Sequence, residues 1–412
     1  MTRVAFVTPY LPWPPDNGGK LRSYYLLRGL ASSAEVDLYT VYHEDPPDAG
    51  AMSSIVHSLE CVRIRHGSDR WAAIKPLFTK TPRSVRYFQT PASLDHMRTR
   101  LAAGYDLHVC DEIVMVPYCR PLSDAANAPR LIMRQKVDHA HYLEMAAARK
   151  WGREKVLDWL EGRRLAAFER GSMPLFAAAT VCSEADRVII RDQMAPGAPV
   201  EVLVNGADTE YFKPQRTPDA QPTVLLLGTM HYYPNVDATL YFFNEMYEAL
   251  RQAVPDIRIL VVGHNPPPEI TALSRHPGVT VTGSVPDVRP YMARSWVMAV
   301  PLRLGGGTRL KIMEAMASAL PIVSTVVGAE GTGVTDGQQL LVADTPQRFV
   351  EQTVRLLGDA GLRGRLAAQG LEYVTAHFSW QALGARFAKF CLDVAAHRGQ
   401  GGPDPLHSSE GR

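Results

Sequence analysis

The chain has 412 residues, with 44 lysines and arginines against 42 aspartates and glutamates, a formal net charge of +2 and 46% apolar residues. At roughly 150 residues per domain this length holds two to three domains with sizeable cores. The near-neutral balance excludes a generally polycationic nucleic-acid binder, and the composition excludes a disordered chain. Cys61, Cys110, Cys119, Cys182 and Cys391 are odd in number, widely spaced and without a CxxC pair. That pattern argues against a disulfide framework or a thiolate metal site and for a reducing compartment. Prolines and Asp16 follow the opening apolar run too soon for a signal peptide, and no stretch approaches the roughly eighteen apolar residues of a membrane span. The expected location is cytoplasmic, with any membrane role peripheral.

The run Val4 to Thr8 reads as a strand, PYLPWPPDNGG as a long turn-rich loop, and LRSYYLLRGLA from Leu21 as a helix. Further short apolar runs rich in β-branched residues lie at 36 to 41, 106 to 110, 130 to 133, 178 to 182 and 200 to 204, separated by segments long enough for helices. Strands so spaced predict an α/β domain with a parallel sheet. The polar, proline-containing stretch NGADTEYFKPQRTPDAQP then marks a boundary, and the alternation restarts with TVLLLG at 223 to 228. In the second half the pattern predicts strands at 223 to 227, 258 to 262, 279 to 283, 296 to 301 and from 321. It also predicts a helix from about Val236 capped by Asn235, and another opened by Thr345 and Pro346. The predicted division is a first domain over 1–205, rejoined by a terminal helix at about 380–396, a second over 206–379, and a flexible tail at 399–412. Two such domains would leave a cleft faced by the carboxyl ends of their strands.

The segment PLRLGGGTRLKIMEAMASALP at 301 to 321 is the most informative. Gly305, Gly306 and Gly307 stand between a predicted strand and a predicted helix, where bare backbone N–H groups and the positive helix end can approach an anion. Arg309 and Lys311 add positive charge there, and Glu314 can accept hydrogen bonds from vicinal hydroxyls such as those of a ribose. A nucleoside diphosphate satisfies all three features. Gly18 and Gly19 in PPDNGGKLR occupy the equivalent strand-to-helix loop of the first half, although neither GxGxxG nor GxxxxGK[ST] is present. Asp138 and His139, just past the run RLIM, can bind or polarise a substrate hydroxyl. With His141 they would make a poor metal cluster, since the rings diverge on a helix entry. The stretch LEGRRLAAFERG reads as an amphipathic helix with Leu160, Leu165 and Phe168 inward and Glu161 and Glu169 among its solvated charges. From 63 to 88 basic and aromatic residues interleave around the single acid Asp69, a pattern suited to peripheral contact with an anionic membrane or to an anionic acceptor. No second basic tract supports a nucleic-acid partner.

Together these pieces carry a family likeness. PPDNGGKLR, VDH at 137 to 139, EGRRLAAFE, VCSEADR, NGADTEYF, VVG at 261 to 263, GSVPDVRPYM and GGGTRLKIMEAMASALPIVST follow one another in order over nearly the whole chain. The sequence resembles the retaining, nucleotide-sugar-dependent glycosyltransferases of the bacterial family four (GT4), and is most similar to the sugar transferases of exopolysaccharide clusters. The resemblance implies a GT-B fold, α/β with two Rossmann-like domains whose parallel sheets face a central cleft. It implies a hexosyltransferase-type enzyme that needs no cofactor or metal and takes a UDP-sugar or GDP-sugar as donor. The acceptor would be a saccharide or lipid-linked molecule, and the place of work the cytoplasm or the inner face of the membrane.

By the same resemblance Gly18, Gly19, Gly228, Gly263, Ser284, Val285, Gly306, Gly307, Thr308 and Glu314 would contact the donor, Ser284 and Val285 on the base side and Glu314 at the ribose. Arg309 and Lys311 would neutralise the diphosphate, and Asp138 and His139 would lie at the acceptor or transferred sugar. The family has two glutamates eight positions apart around the phosphate loop; here Glu314 is the second and Gly306 stands where the first is expected, removing one sugar contact. The implied chemistry is front-face attack, with the leaving phosphate helping to take the acceptor proton. A nucleotide-sugar 2-epimerase of the same fold and a non-catalytic nucleotide-sugar-binding scaffold are the alternatives.

Overall fold

The computed structural model describes residues 1–15, 17–65, 81–102, 104–120, 128–149, 151–230, 232–304 and 309–397. The expected tail at 399–412, most of the basic stretch at 63 to 88, and Gly306, Gly307 and Thr308 of the phosphate loop lie outside the described residues. The chain divides into two compact units, one built from Met1–Val204 with the residues from Leu383 onward, the other from Asn205–Ala382.

The first unit is built on strands β1 (Arg3–Thr8), β2 (Glu35–Tyr42), β3 (Ser58–Arg63), β4 (Leu107–Asp111), β5 (Arg130–Met133), β6 (Ala178–Val181) and β7 (Val200–Val202). They form one sheet in the order β3-β2-β1-β4-β5-β6-β7, every pair parallel. Central strands of a parallel sheet are covered on both faces, so they are apolar without alternation. Accordingly Val4, Ala5, Phe6 and Val7 are all fully buried. The second unit repeats the plan with β8 (Thr223–Leu227), β9 (Arg258–Val262), β10 (Val279–Gly283), β11 (Val297–Val300), β12 (Ile322–Ser324) and β13 (Leu341–Val342). Its order is β10-β9-β8-β11-β12-β13, again all parallel. In both sheets the order reverses beside the unit's first strand, β1 or β8. The crevice at such a reversal, outside the carboxyl ends, is where open α/β sheets bind ligands.

Helices that bear on the argument are α1 (Gly18–Ala31), α2 (Asp138–Ala148), α3 (Arg153–Ser172), α4 (Tyr233–Glu245), α5 (Leu310–Ala317) and α6 (Trp380–Ala396). Asn17 caps α1, its side chain accepting from the Lys20 amide at 3.0 Å. The expected Asn235 cap is corrected: α4 starts two residues earlier, and Asn235 is turned inward from its first turn. The side chain of Asn235 donates to the Thr229 carbonyl at 2.9 Å, which fixes the loop after β8.

At the amino end of the first sheet Asp37 is buried and accepts from Arg3, His57, Ser58 and the Tyr105 hydroxyl at 2.5 to 2.8 Å. Burial pushes its carboxyl up, but the bonds from Ser58, His57, Tyr105 and Arg3 outweigh it and hold the group at about 2. This charge cluster staples strands and lies at the end of the sheet away from the ligand crevice.

The terminal helix α6 returns to the first unit. There Arg386 reaches Glu201 at 2.5 Å and the Val202 carbonyl at 3.3 Å, and Gly384 packs backbone to backbone on Gly29 of α1. A Cβ built on Gly29 would stand 2.5 Å from the Gly384 backbone, closer than any relaxation of a side chain can relieve. Gly29→Ala is therefore expected to lower the urea unfolding free energy of the first unit by about 1–3 kcal/mol through overpacking. Unfolding followed by near-ultraviolet circular dichroism tests this, and an unchanged midpoint would remove the contact from the stability of the unit.

Candidate functional site

In the first unit the ligand-facing crevice is built by the residues that follow β1, β4 and β5. Asp111 closes β4, fully buried, accepting from Thr8 Oγ1 at 2.9 Å and Ser23 Oγ at 2.5 Å. Desolvation raises its carboxyl, against the pull of those hydroxyls and the Arg22 charge. Glu112 follows with φ of 72°, a backbone region that a non-glycine residue occupies only when its surroundings dictate it. That conformation turns its carboxylate to accept from the Gln135 amide at 3.0 Å. Burial raises the Glu112 carboxyl to about 8, helped by Asp138 and opposed by Arg134. The two glycines of the first loop differ. A Cβ on Gly19 would meet the Tyr10 hydroxyl at 2.5 Å, whereas one on Gly18 would meet nothing within 4 Å. Gly19 is thus a packing glycine, and Gly18 leaves open space.

Arg134, immediately after β5, has no exposed surface. Its Nη2 donates to Glu169 at 2.9 Å and to Asp138 at 2.9 Å, and its Nε lies 3.8 Å from Glu112. The acids raise its already high pKa further, overcoming desolvation. Glu169, equally buried, also accepts from His139 Nδ1 at 2.6 Å and from the His139 amide at 3.3 Å. Burial would push the Glu169 carboxyl up, but the Arg134 charge and the bonds from His139 and Arg134 bring it below its ordinary value. An ionised carboxylate only accepts, so His139 donates to it through Nδ1–H. Asp138 and His139, consecutive in the chain, open α2.

Sequence reasoning missed Arg134, Glu112 and Glu169, and placed the acids of α3 on its solvated side. The structure corrects that reading. Glu161, Leu165 and Glu169, four residues apart, form the buried stripe, with Glu161 accepting from the Arg83 and Ser84 amides at 3.1 and 2.8 Å. Leu160 is instead only half-buried.

In the second unit Gly228 and Gly263 end β8 and β9. A Cβ on Gly263 would stand 1.8 Å from the Gly228 carbonyl oxygen, and one on Gly228 would stand 2.9 Å from Lys311 Nζ. Both are therefore glycine because protein atoms fill their Cβ positions. Their small size admits Lys311 of α5 to the strand ends, where its ammonium donates to Asn235 Oδ1 at 2.6 Å. Among the described residues Lys311 has no carboxylate within ion-pair distance. Burial depresses it to about 8, assisted by the positive Arg309 and resisted by Glu314. Glu314, one turn along, is raised to about 7 by burial, tempered by Lys311. Arg309 is buried just before α5 and donates through Nε and Nη2 to the Val327 carbonyl at 3.2 and 2.9 Å. Ser284 is exposed and joined to His264 Nδ1 at 2.9 Å, which ties the loop after β10 to the loop after β9. Val285 beside it is half-buried. Gly228, Gly263, Arg309, Lys311 and Glu314 thus gather at the strand ends and the start of α5. Among the described residues no group of three or more His, Cys, Asp or Glu side chains is arranged to hold a metal ion, and no helix is long and apolar enough to cross a membrane.

Residues 221–359 match the family described as "Glycosyl transferases group 1", a span confined to the second unit. The chain is 21% identical to the "Uncharacterized 44.6 kDa protein in cps region" of Klebsiella pneumoniae, over 86% of this chain and 90% of that protein. It is 26% identical to the GDP-mannose-dependent alpha-(1-6)-phosphatidylinositol monomannoside mannosyltransferase of Mycobacterium tuberculosis, over 51% of this chain and 60% of that one. It is related to nucleotide-sugar transferases. Among solved structures, sucrose-phosphate synthase from Thermosynechococcus elongatus aligns with a TM-score of 0.64 at 19% identity, covering 96% of this chain and all of that one. The Anabaena HepE protein, solved in complex with UDP and glucose, aligns with a TM-score of 0.57 at 13% identity over 95% and 99% of the two chains. These likenesses establish the GT-B architecture of two Rossmann-like units.

Removing the partner of a fully buried charge leaves that charge uncompensated. Glu169→Ala is therefore expected to destabilise the first unit by about 3–5 kcal/mol. Chemical unfolding of the variant checks this, and a loss below about 1 kcal/mol would mean that Asp138 and Glu112 suffice for Arg134.

Proposed function

We propose that the protein is a retaining glycosyltransferase that moves a sugar from a nucleoside-diphosphate sugar, a UDP-sugar or GDP-sugar, to a saccharide or lipid-linked acceptor. The setting would be the cytoplasm or the inner face of the membrane, in the assembly of a cell-surface polysaccharide or glycoconjugate. The supporting observation is the half-buried Lys311, which lies near Arg309 and whose ammonium donates to the neutral Asn235. A desolvated cation without a counter-charge is under-compensated, and a diphosphate supplies the missing charge. Glu314, where ionised, would accept from the ribose hydroxyls, and Ser284 and Val285 would flank the base. The phosphate-loop positions Gly306, Gly307 and Thr308 and the open Gly18 would complete the donor contacts, with Gly19, Gly228 and Gly263 shaping the strand ends.

Cleavage of a glycosyl phosphate bond leaves an oxocarbenium-like sugar and concentrates negative charge on the departing diphosphate. Fixed cations then stabilise the transition state more than the bound donor. In the proposed front-face course the leaving phosphate takes the acceptor proton. His139, held by Glu169 through its Nδ1, and Asp138 would orient the acceptor or the transferred sugar.

Arg309→Ala and Lys311→Met are each expected to lower transfer about 100-fold, the loss typical of one electrostatic stabiliser. Unchanged rates in both folded variants would overturn the reading. Lys311 also sets a pH signature. Its pKa in the free protein is about 8, and a bound anion raises it, so only the protonated form binds well. UDP or GDP affinity, measured by calorimetry, should weaken above that value by up to about tenfold per pH unit. Lys311→Arg should remove this decline, because guanidinium stays protonated. Release of free nucleotide only when an acceptor is present separates transfer from 2-epimerisation, and binding with no release under any acceptor would mark a scaffold.

A further inference from the structure

In the first sheet the strand order reverses between β1 and β4, so the residues just past those two strands line the crevice in which open α/β sheets hold ligands. Glu112 stands there in the left-handed backbone region, a conformation that is unfavourable for a residue with a side chain and that collects where ligands are held. Its Oε1 accepts from the Gln135 amide at 3.0 Å. Among the described residues no hydrogen-bond donor reaches its other oxygen, Oε2. Arg134 Nε lies 3.8 Å from that atom, and Arg134 already has Asp138 and Glu169 at 2.9 Å. The Glu112 side chain keeps 15% of its surface exposed, and Oε2 is not enclosed. Backbone strain, near-complete burial and an unanswered oxygen thus coincide on the crevice wall, a combination that marks a ligand-facing group.

The groups that face Glu112 decide what its free oxygen offers. Tyr10 follows β1, Asp111 ends β4, Arg134 follows β5, Cys182 follows β6 and Asp138 opens α2. Burial and the charges of Asp138 and Asp111 oppose ionisation of Glu112, and Arg134 and the Gln135 amide favour it, which places the change at about 8. Burial also pushes Tyr10 and Cys182 upward, so both keep their protons where Glu112 titrates. At neutral pH Oε2 therefore presents an O–H, a donor. Its neighbourhood is fixed. The Gln135 side chain bonds the Tyr10 hydroxyl and donates through Nε2 to the Gly19 carbonyl at 3.3 Å, which leaves Tyr10 its own proton to give. Donors at Glu112 and Tyr10 beside an acceptor at Asp138 suit vicinal hydroxyls, each of which both gives and takes a hydrogen bond. We propose that Glu112 is a specificity-determining residue of the first unit, its Oε2–H donating to a ring hydroxyl of a bound sugar residue, with Tyr10 and Asp138 as its neighbours in the site. The transferase reading enters only in naming that sugar as part of the acceptor.

Saturation-transfer NMR titration of the full chain with the methyl α-glycosides of glucose, mannose and galactose, in the absence of nucleotide, tests this. Wild type should bind at least one of them at pH 7, and E112A, at unchanged circular dichroism, should bind it about tenfold more weakly through loss of one buried hydrogen bond. Raising the pH to 9 should weaken wild-type binding about tenfold, because the donor proton leaves above about 8. E112Q, whose amide donates at either pH, should bind with one affinity at both. Folded E112A with wild-type affinity would overturn the proposal, as would a pH loss in E112Q equal to that of wild type. Wild type that binds none of the glycosides would also overturn it, and UDP or GDP binding by calorimetry on the same sample would leave the transferase reading standing. Conversely, glycoside binding that depends on Glu112 in a chain that binds neither nucleotide would keep the sugar site and overturn the transferase reading.

Discussion

Arg134 carries a full positive charge at the end of a central strand with no contact to solvent, and a charge so placed must be met by carboxylates that are themselves held in place. Glu169 comes from the buried stripe of α3, Asp138 from the first residue of α2, and Glu112 from a left-handed turn at the end of β4. The need to surround one guanidinium therefore decides how α2 enters, how α3 is rotated and why Glu112 tolerates a backbone conformation unusual for its type. It also decides the proton position on His139, because the same Glu169 carboxylate that neutralises Arg134 accepts from Nδ1. One buried ion pair thus couples the packing of the unit to the chemistry of the residue at its crevice.

The second unit has the same strand order but the opposite electrostatic condition. Its half-buried cation, Lys311, donates to the amide oxygen of Asn235, and Asn235 in turn donates to the Thr229 carbonyl. Where Arg134 is met by carboxylates, Lys311 has none within ion-pair distance among the described residues, its ammonium donating to Asn235.

The fold was legible because parallel central strands are bare apolar runs, and VAFVT, DLHVC, RLIM, TVLLLG and RILVV stand out between polar segments. The strands missed were β3 and β13. The first is a half-exposed edge strand of mixed polarity, SLECVR, and the second has only two residues, so neither carries a periodicity to find. The basic pair Arg309 and Lys311 was singled out from its place after a strand. The acids were not. Glu169 and Glu161 look like ordinary helix-surface charges until their four-residue spacing with Leu165 is noticed, and nothing local announces that a stripe so charged faces inward. Arg134 follows directly on the apolar run RLIM and Glu112 comes one residue after Asp111 at the end of DLHVC, a place just past a strand being the one signal that could have identified them. Gly228 and Gly263 show the reverse: they were found for their position, yet their Cβ spaces are occupied by protein atoms.

The backbone contact between Gly29 and Gly384 bears on how the chain is made. During synthesis, residues of the second unit are complete once Ala382 has emerged, but the first unit still lacks the helix that packs on α1 and joins Glu201. The usual order of vectorial folding, in which the amino-terminal part finishes first, is therefore reversed for the last step. The earlier-made unit waits with one face of α1 uncovered until α6 has been made, and this is the interval in which a chaperone would find exposed surface to hold.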